Sequence, residues 1–160
     1  KGLVGKLGLG KSIALVSDAG TPTISDPGYL LVVGAIKAEI MIVSIPGATA
    51  CISAASVSGM PLHNFVFEGF LSPKSGKRRR RLAKLCQDER TMIFYESPHR
   101  LIKFLVDVIE ILGDRRVCIA RELTKKFEEI FYGTVNEAIE KFTAQQPRGE
   151  FTVVVAGGDP

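Results

Sequence analysis

The stretch Ser17-Asp18-Ala19-Gly20-Thr21-Pro22-Thr23-Ile24-Ser25-Asp26-Pro27-Gly28 decides how the fold is read. It follows the apolar run Ile13–Val16 and precedes a helical pattern that begins near Pro27. Small residues, two aspartates and two prolines thus fill a strand-to-helix connection. In open α/β sheets, a loop at the carboxyl end of a buried strand is where ligands are held. Gly20 lets the backbone approach a ligand closely, and Pro22 stiffens the turn. Asp26-Pro27 offers the next helix an N-cap and an N1 proline. A plain capped connector has the same composition, so the rest of the chain must separate the two readings.

Working outward, Ile13–Val16 reads as a strand buried on both faces, and Pro27–Ala38 carries helical spacing. Ile40–Ile45 reads as a second buried strand, and Pro46-Gly47 turns the chain. Thr49 can cap a helix running through Ser58, with Gly59 at its C′ position. This β-α-β-α series implies parallel strands. Two strands do not make a stable parallel sheet alone. The expectation is therefore a partial domain whose remaining strands lie in an N-terminal portion ahead of Lys1. Lys1–Gly10, basic and glycine-rich, matches no element.

Met60-Pro61-Leu62 reads as a border between a domain of residues 1–61 and one of residues 62–160. Past it, strands are expected at Phe65–Phe70, Thr91–Tyr95, Val117–Ala120, Glu129–Gly133 and Phe151–Ala156. Helices are expected at Lys77–Cys86, with Leu82, Leu85 and Cys86 inward, and at Asn136–Phe142. The clearest helix follows Ser97-Pro98, with Leu101, Ile102, Leu105, Val108, Ile109 and Leu112 on one face and Gly113 after its last turn. Strands outnumber helices here. The fold class is α/β: a partial parallel-sheet N-terminal domain and a mixed-sheet α+β C-terminal domain.

Composition bounds the function. The chain has 160 residues, 46% of them apolar, enough for a core and against disorder. No apolar run approaches the roughly 18 residues of a membrane span, and the start lacks a secretory pattern. A soluble, cytoplasmic protein without membrane partners is expected. Cys51, Cys86 and Cys118 are widely spaced within apolar patterns and read as buried small hydrophobes rather than a zinc site or disulfides. His63 and His99 stand alone, so no metal site is expected. The net charge is +4. Seven cations and no acid lie between Lys74 and Lys84, which leaves −3 on the remainder. One basic patch on a mildly acidic body is the distribution of a polyanion contact.

The polar clusters fall at strand ends: Ser17–Gly28, Pro46–Ala50, Tyr95–Arg100, Arg121–Lys125 and Gly149–Phe151. Each alone could be a turn, a cap or a charged edge, and Arg121 with Glu122 could be a weak surface pair. Together they lie where a ligand cleft gathers polar groups.

Six motifs in this order carry a resemblance: Ser-Asp-Ala-Gly-Thr-Pro-x-Ile-Ser-Asp-Pro-Gly, Ile-Pro-Gly-Ala-Thr-Ala, Phe-Glu-Gly-Phe-Leu, Phe-Tyr-Glu-Ser-Pro-His-Arg, Ala-Arg-Glu-Leu-Thr-Lys and Arg-Gly-Glu-Phe. From about Gly10 to Gly157 the chain resembles the ribosomal small-subunit RNA 2′-O-methyltransferases of the tetrapyrrole methylase superfamily. The resemblance implies S-adenosylmethionine as donor, and as acceptor the ribose 2′-hydroxyl of a cytidine in small-subunit rRNA or the assembled subunit. It also implies a homodimer, with the donor in a cleft between two domains. By position, Asp18, Ala19, Gly20, Thr49, Ala50, Tyr95, Glu96 and Glu150 would contact the donor, with Tyr95 and Glu96 acting through backbone atoms. Glu122 would lie at a strand end closing the same pocket. Asp18 and Glu122 are the candidate catalytic bases. Lys77, Arg78, Arg79, Arg80 and Arg81 would bind RNA phosphates, supported by His99, Arg100 and Lys125. The family's first strand and glycine-containing loop are not found in this sequence. The alternatives are a methylase of a tetrapyrrole or other small molecule, which would need no arginine run, and a non-catalytic RNA-binding module.

Overall fold

Two compact units divide the chain, Lys1–Thr49 and Ala50–Pro160, and the computed structural model describes residues 2–158. The expected domain border at residue 61 lies after this division, and the helix between the two points packs with the second unit.

The first unit holds helix α1 (Gly2–Gly8) and helix α2 (Tyr29–Lys37). Helix α1 falls in the segment for which no element was expected. Val4 and Leu7 are its partly covered side chains, and this apolar spacing was the available signal. Gly34 of α2 lies so close to Val4 that a Cβ there would meet Val4 Cγ2 at 2.8 Å. Neither Ile13–Val16 nor Ile40–Ile45 forms a strand, a correction to the sequence expectation. Val16 is 80% exposed and Met41 85%. A strand exists by pairing its N–H and C=O groups with a neighbour, and among the described residues neither run is in a ladder. Helix α2 also starts later than expected. Gly28, not Asp26, is its N-cap, and no side chain caps it.

The second unit opens with helix α3 (Ala50–Val57) and strand β1 (Phe65–Phe70). Helix α4 (Ser75–Leu85), strand β2 (Thr91–Glu96) and helix α5 (Leu101–Leu112) follow. Strands β3 (Arg116–Arg121) and β4 (Glu129–Thr134), helix α6 (Val135–Gln145) and strand β5 (Phe151–Val155) complete it. The sheet order is β1-β2-β5-β3-β4. β1 and β2 are parallel, and the other pairs are antiparallel. This is the expected mixed sheet.

The period of two along each strand sorts side chains into two layers. Met92, Phe94, Val117, Ile119, Val153 and Val155 pack against α4, α5 and α6 through Leu82, Leu101, Phe104, Leu105, Val108 and Phe142. Ile93, Cys118, Ala120 and Val154 pack on the opposite face against Cys51, Ala54 and Ala55 of α3. With both faces covered, β2, β3 and β5 are apolar almost throughout. Small residues on α3 let that short helix sit close to the sheet.

Local chemistry sets the ends. Thr134 and Glu137 form a capping box, so α6 begins at Val135, just before the expected Asn136. Helix α5 begins at Leu101 rather than at Ser97-Pro98, which instead form a turn whose Ser97 carbonyl accepts from the Arg100 and Leu101 amides. The β1–β2 register slips between Phe67 and Gly69. Glu68 is the unpaired residue of this bulge, and a bulge re-aims its side chain.

Candidate functional site

In the first unit, the two motif loops are held together by Thr21. Its hydroxyl donates to Ala48 O at 3.1 Å and lies 3.5 Å from Gly47 O. The Ser17 hydroxyl bonds back to Ala19 O and Gly20 O at 3.3 and 3.2 Å, so Asp18 and Ala19 sit at the tip of a closed turn. Gly20 has φ +74°, a conformation that costs other residues about 1–2 kcal/mol. A Cβ there would lie 3.8 Å from Ala48 O, so this main chain runs against that of the Pro46–Thr49 turn. Thr23 and Ser25 also adopt positive φ, 72° and 63°, and such non-glycine residues gather at ligand sites. Among the described residues, the exposed Asp18 carboxylate accepts no hydrogen bond. Thr49 is half-buried at the end of the second loop.

In the second unit, three predicted residues form one charged cluster at the ends of β3 and β5. Lys125 Nζ reaches Glu122 Oε1 at 3.0 Å and Glu150 Oε2 at 2.9 Å. Glu122 Oε1 also accepts from the Glu150 amide at 2.8 Å. That backbone bond first, and Lys125 second, hold the Glu122 carboxyl below its usual pKa. Glu150 and Glu122 together raise Lys125. Glu122 and Thr124 have positive φ, 49° and 65°, which repeats the one-residue spacing seen at Thr23 and Ser25. Gly149, at φ +85°, lies directly against the Glu122 side chain, where a Cβ would overlap it. Arg121 does not pair with its neighbour Glu122. It faces Glu129 across the β3–β4 ladder and bonds it at 3.3 Å, since successive strand residues point to opposite sides.

Tyr95 and Glu96 end β2. The Tyr95 hydroxyl accepts from the Cys51 amide at 3.0 Å, satisfying one orphan donor in the first turn of α3, which Ala50 begins. Its ring packs edge-on against Phe67, with centroids 5.0 Å apart. The Glu96 carboxylate is buried, accepting from the Ser97 amide at 2.8 Å and pairing with Arg100 at 2.7 Å. Arg100 also lies 3.2 Å from Ser97 Oγ. The side chains of Glu96 and Arg100 therefore brace the β2–α5 turn, while His99 is exposed.

The structure divides the arginine run. Arg78 is 4% exposed and its guanidinium pairs with buried Asp107 of α5 at 2.6 Å. Arg79 reaches Asp107 at 2.8 Å and also pairs with Glu110. Arg81 binds Glu68, with Nε 2.6 Å from the carboxylate. Lys77 and Arg80 are exposed with no ion pair among the described residues. Arg78 thus faces inward, against the expectation of an RNA-facing role. Its place four and seven residues before Leu82 and Leu85 was a signal for this. Asp107, interrupting the apolar face of α5, was not read as its partner.

A five-stranded mixed sheet with helices on both faces in the second unit, and two glycine-bearing loops joined by Thr21 in the first, make this an α/β protein. The chain belongs to the tetrapyrrole (corrin/porphyrin) methylases, whose family model matches residues 3–139. It is 52% identical over 159 residues to a ribosomal RNA small subunit methyltransferase I of Synechocystis, covering 99% of this chain and 57% of that protein. A protein of the same name from Thermotoga maritima is 51% identical over 148 residues, covering 92% and 66%. The chain therefore spans between half and two-thirds of the length of these relatives. Among solved structures, the methyltransferase CobJ superposes with TM-score 0.71 at 22% identity, over 97% of this chain and 68% of that one. A uroporphyrin-III C-methyl transferase from Thermus thermophilus, complexed with S-adenyl homocysteine, gives TM-score 0.57 at 13% identity, over 84% and 62%. At those identities the likeness is one of fold.

Proposed function

We propose that the protein is an S-adenosylmethionine-dependent methyltransferase that modifies the ribose 2′-hydroxyl of a cytidine in small-subunit rRNA. The observation that carries this reading is the joining, through Thr21, of the Asp18–Gly20 and Pro46–Thr49 loops. The Ser17 and Thr21 hydroxyls occupy the Ala19, Gly20 and Ala48 carbonyls, so the loop amides are the main-chain groups proposed to meet a ligand, and Gly20 has no side chain to fill the space. These residues fit the donor, whose carboxylate and adenine edge are suited to main-chain donors and acceptors. Asp18, Ala19, Gly20 and Thr49 would hold it. The resemblance alone adds Ala50, Tyr95, Glu96 and Glu150, with Tyr95 and Glu96 acting through backbone, since their side chains are already engaged.

The donor supplies an electrophilic methyl carbon on a sulfonium. The protein's contribution is to hold the attacking ribose oxygen in line in a dry site and to take up its proton. Asp18 suits the proton-accepting role, because its carboxylate is uncommitted and exposed. Such a base contributes roughly 10²–10⁴-fold. Glu122 suits it less: a carboxyl held below its usual pKa by Lys125 and the Glu150 amide is a weaker base. We assign it to positioning the β3–β5 ends. Of the residues expected at rRNA, Lys77, Arg80 and His99 are exposed, and neither Lys77 nor Arg80 makes an ion pair among the described residues, whereas Arg79, Arg81, Arg100 and Lys125 are already paired with carboxylates. The family reading adds a homodimer working in the cytoplasm.

Calorimetry with S-adenosylmethionine tests the donor assignment. Binding is expected in the protein and its loss in Gly20→Val, whose branched side chain is strained at positive φ and crowds the loop. Unaltered affinity in that variant would remove the loop from the site. Mapping ribose methylation of small-subunit rRNA after gene disruption should show one lost site, and unchanged rRNA would refute the substrate.

A further inference from the structure

Helix α4 presents its cations in three directions, and among the described residues in only one of them are they all free of carboxylate partners. At 100° per residue, Arg78, Leu82 and Leu85 share the inward arc, and all three are buried. Arg79 and Arg81 flank that arc on opposite sides. Asp107 and Glu110 engage the first, and Glu68, turned by the β1 bulge, engages the second. Lys77, Arg80 and Lys84, spaced i, i+3 and i+7, share the outward arc. All three are exposed, and among the described residues none makes an ion pair.

We propose that Lys77, Arg80 and Lys84 form a three-cation stripe that contacts consecutive phosphates of one RNA strand, while Asp107, Glu110 and Glu68 withdraw the other arginines from RNA. The proposal rests on the RNA-substrate reading above and narrows it to a face and a number of contacts. From Lys77 to Lys84 the helix rises about 10.5 Å. Three cations along that rise can each meet one phosphate of a strand. Beyond its last turn the next charged residues are Asp88, paired with Arg90, and the exposed Glu89. Asp107 and Glu110 are positioning residues for the α4 face and do not touch RNA.

This arrangement makes a count, which a salt titration reads. Each phosphate contact adds about 0.7–0.9 to the slope of log affinity against log salt. The combined Lys77→Ala, Arg80→Ala, Lys84→Ala variant should therefore lower the slope by about 2–3 relative to the parent protein. Between 50 and 200 mM salt its affinity should fall about 20–40-fold less than the parent's, by the same relation. Arg81→Gln and Arg79→Gln should leave the slope unchanged. The probe is a transcribed fragment of small-subunit rRNA, followed by fluorescence anisotropy, with circular dichroism melting to verify that each variant is folded. If the parent binds RNA and the triple variant keeps its slope, the stripe is overturned while the substrate reading stands. The same holds if Arg81→Gln lowers the slope as much as Arg80→Gln. If the parent shows no salt-dependent RNA binding, the substrate reading itself fails, and the stripe with it.

Discussion

Ile13–Val16 and Ile40–Ile45 in one unit, and β2 and β5 in the other, are near-equivalents in composition: short runs rich in β-branched and aliphatic residues. Their fates differ completely. Ile93, Phe94, Val153 and Val154 are wholly buried in paired central strands, whereas Val43 is 66% exposed and unpaired. Apolar composition supplies the tendency to be buried. Pairing on both edges, and helices covering both faces, turn that tendency into a strand. The arginine run repeats the lesson at the scale of one helix, where Arg78 and Arg80 are two residues apart and chemically identical, yet one is core and the other surface.

The sharpest way to break the first comparison is a pair of alanine substitutions. Phe94→Ala should cost about 3–5 kcal/mol, and Val43→Ala less than about 0.5 kcal/mol. Urea unfolding followed by circular dichroism reads both, a choice suited to a chain with no tryptophan. Equal costs would show that residues 40–45 are as buried in solution as β2.

The arginine comparison is next. Arg78→Ala removes one of the two partners of buried Asp107, leaving only the Arg79 pair, and should cost about 1–3 kcal/mol, against less than about 0.5 kcal/mol for Arg80→Ala. A similar melting shift for both would contradict an inward Arg78.

A smaller effect separates two left-handed glycines. Gly20→Ala meets only the conformational cost, about 1–2 kcal/mol, because its Cβ has room. Gly149→Ala adds an overlap with the Glu122 side chain and should cost more than Gly20→Ala in the same unfolding measurement.

The smallest effect is in pH. Glu122 is lowered by the Glu150 amide and Lys125, Glu129 first by Lys141, and Asp88 by Arg90 to about 2. A carboxyl lowered in the folded state binds fewer protons there than when unfolded, so its stabilisation is present above the ordinary carboxylate pKa near 4. It is lost as the pH falls through the lowered value. Melting temperature should thus decline between about pH 4 and 2, and less steeply in Asp88→Asn. An identical decline in that variant would show that the Arg90 pair contributes nothing.

Much of this protein was legible without coordinates. The five paired strands and the amphipathic α5 follow from period and punctuation, and the six motifs carry the family. Helix starts were read less well. Asp26 and Ser97 have the chemistry of caps, but Gly28 and Arg100 hold the N-cap positions. Thr134 with Glu137 was a cap signal in plain sight. Of the candidate site, Glu122 with Lys125 and Glu150 were readable only as two separate strand ends, not as one cluster. The tie between Thr21 and the Pro46–Thr49 turn was not readable at all.

The sequence by itself determined the class of fold, the location of the basic helix and the two glycine-bearing loops. Those depend on local conformational preference and on periodicity, which are properties of neighbours along the chain. Tertiary structure alone decided which apolar runs became strands, which arginines were neutralised, and which carboxylate was committed to a lysine. Each of those outcomes requires a partner remote in sequence: β5 beside β2, Asp107 beside Arg78, Glu150 beside Lys125. Burial and pairing are pairwise quantities, and one member of a pair does not fix them.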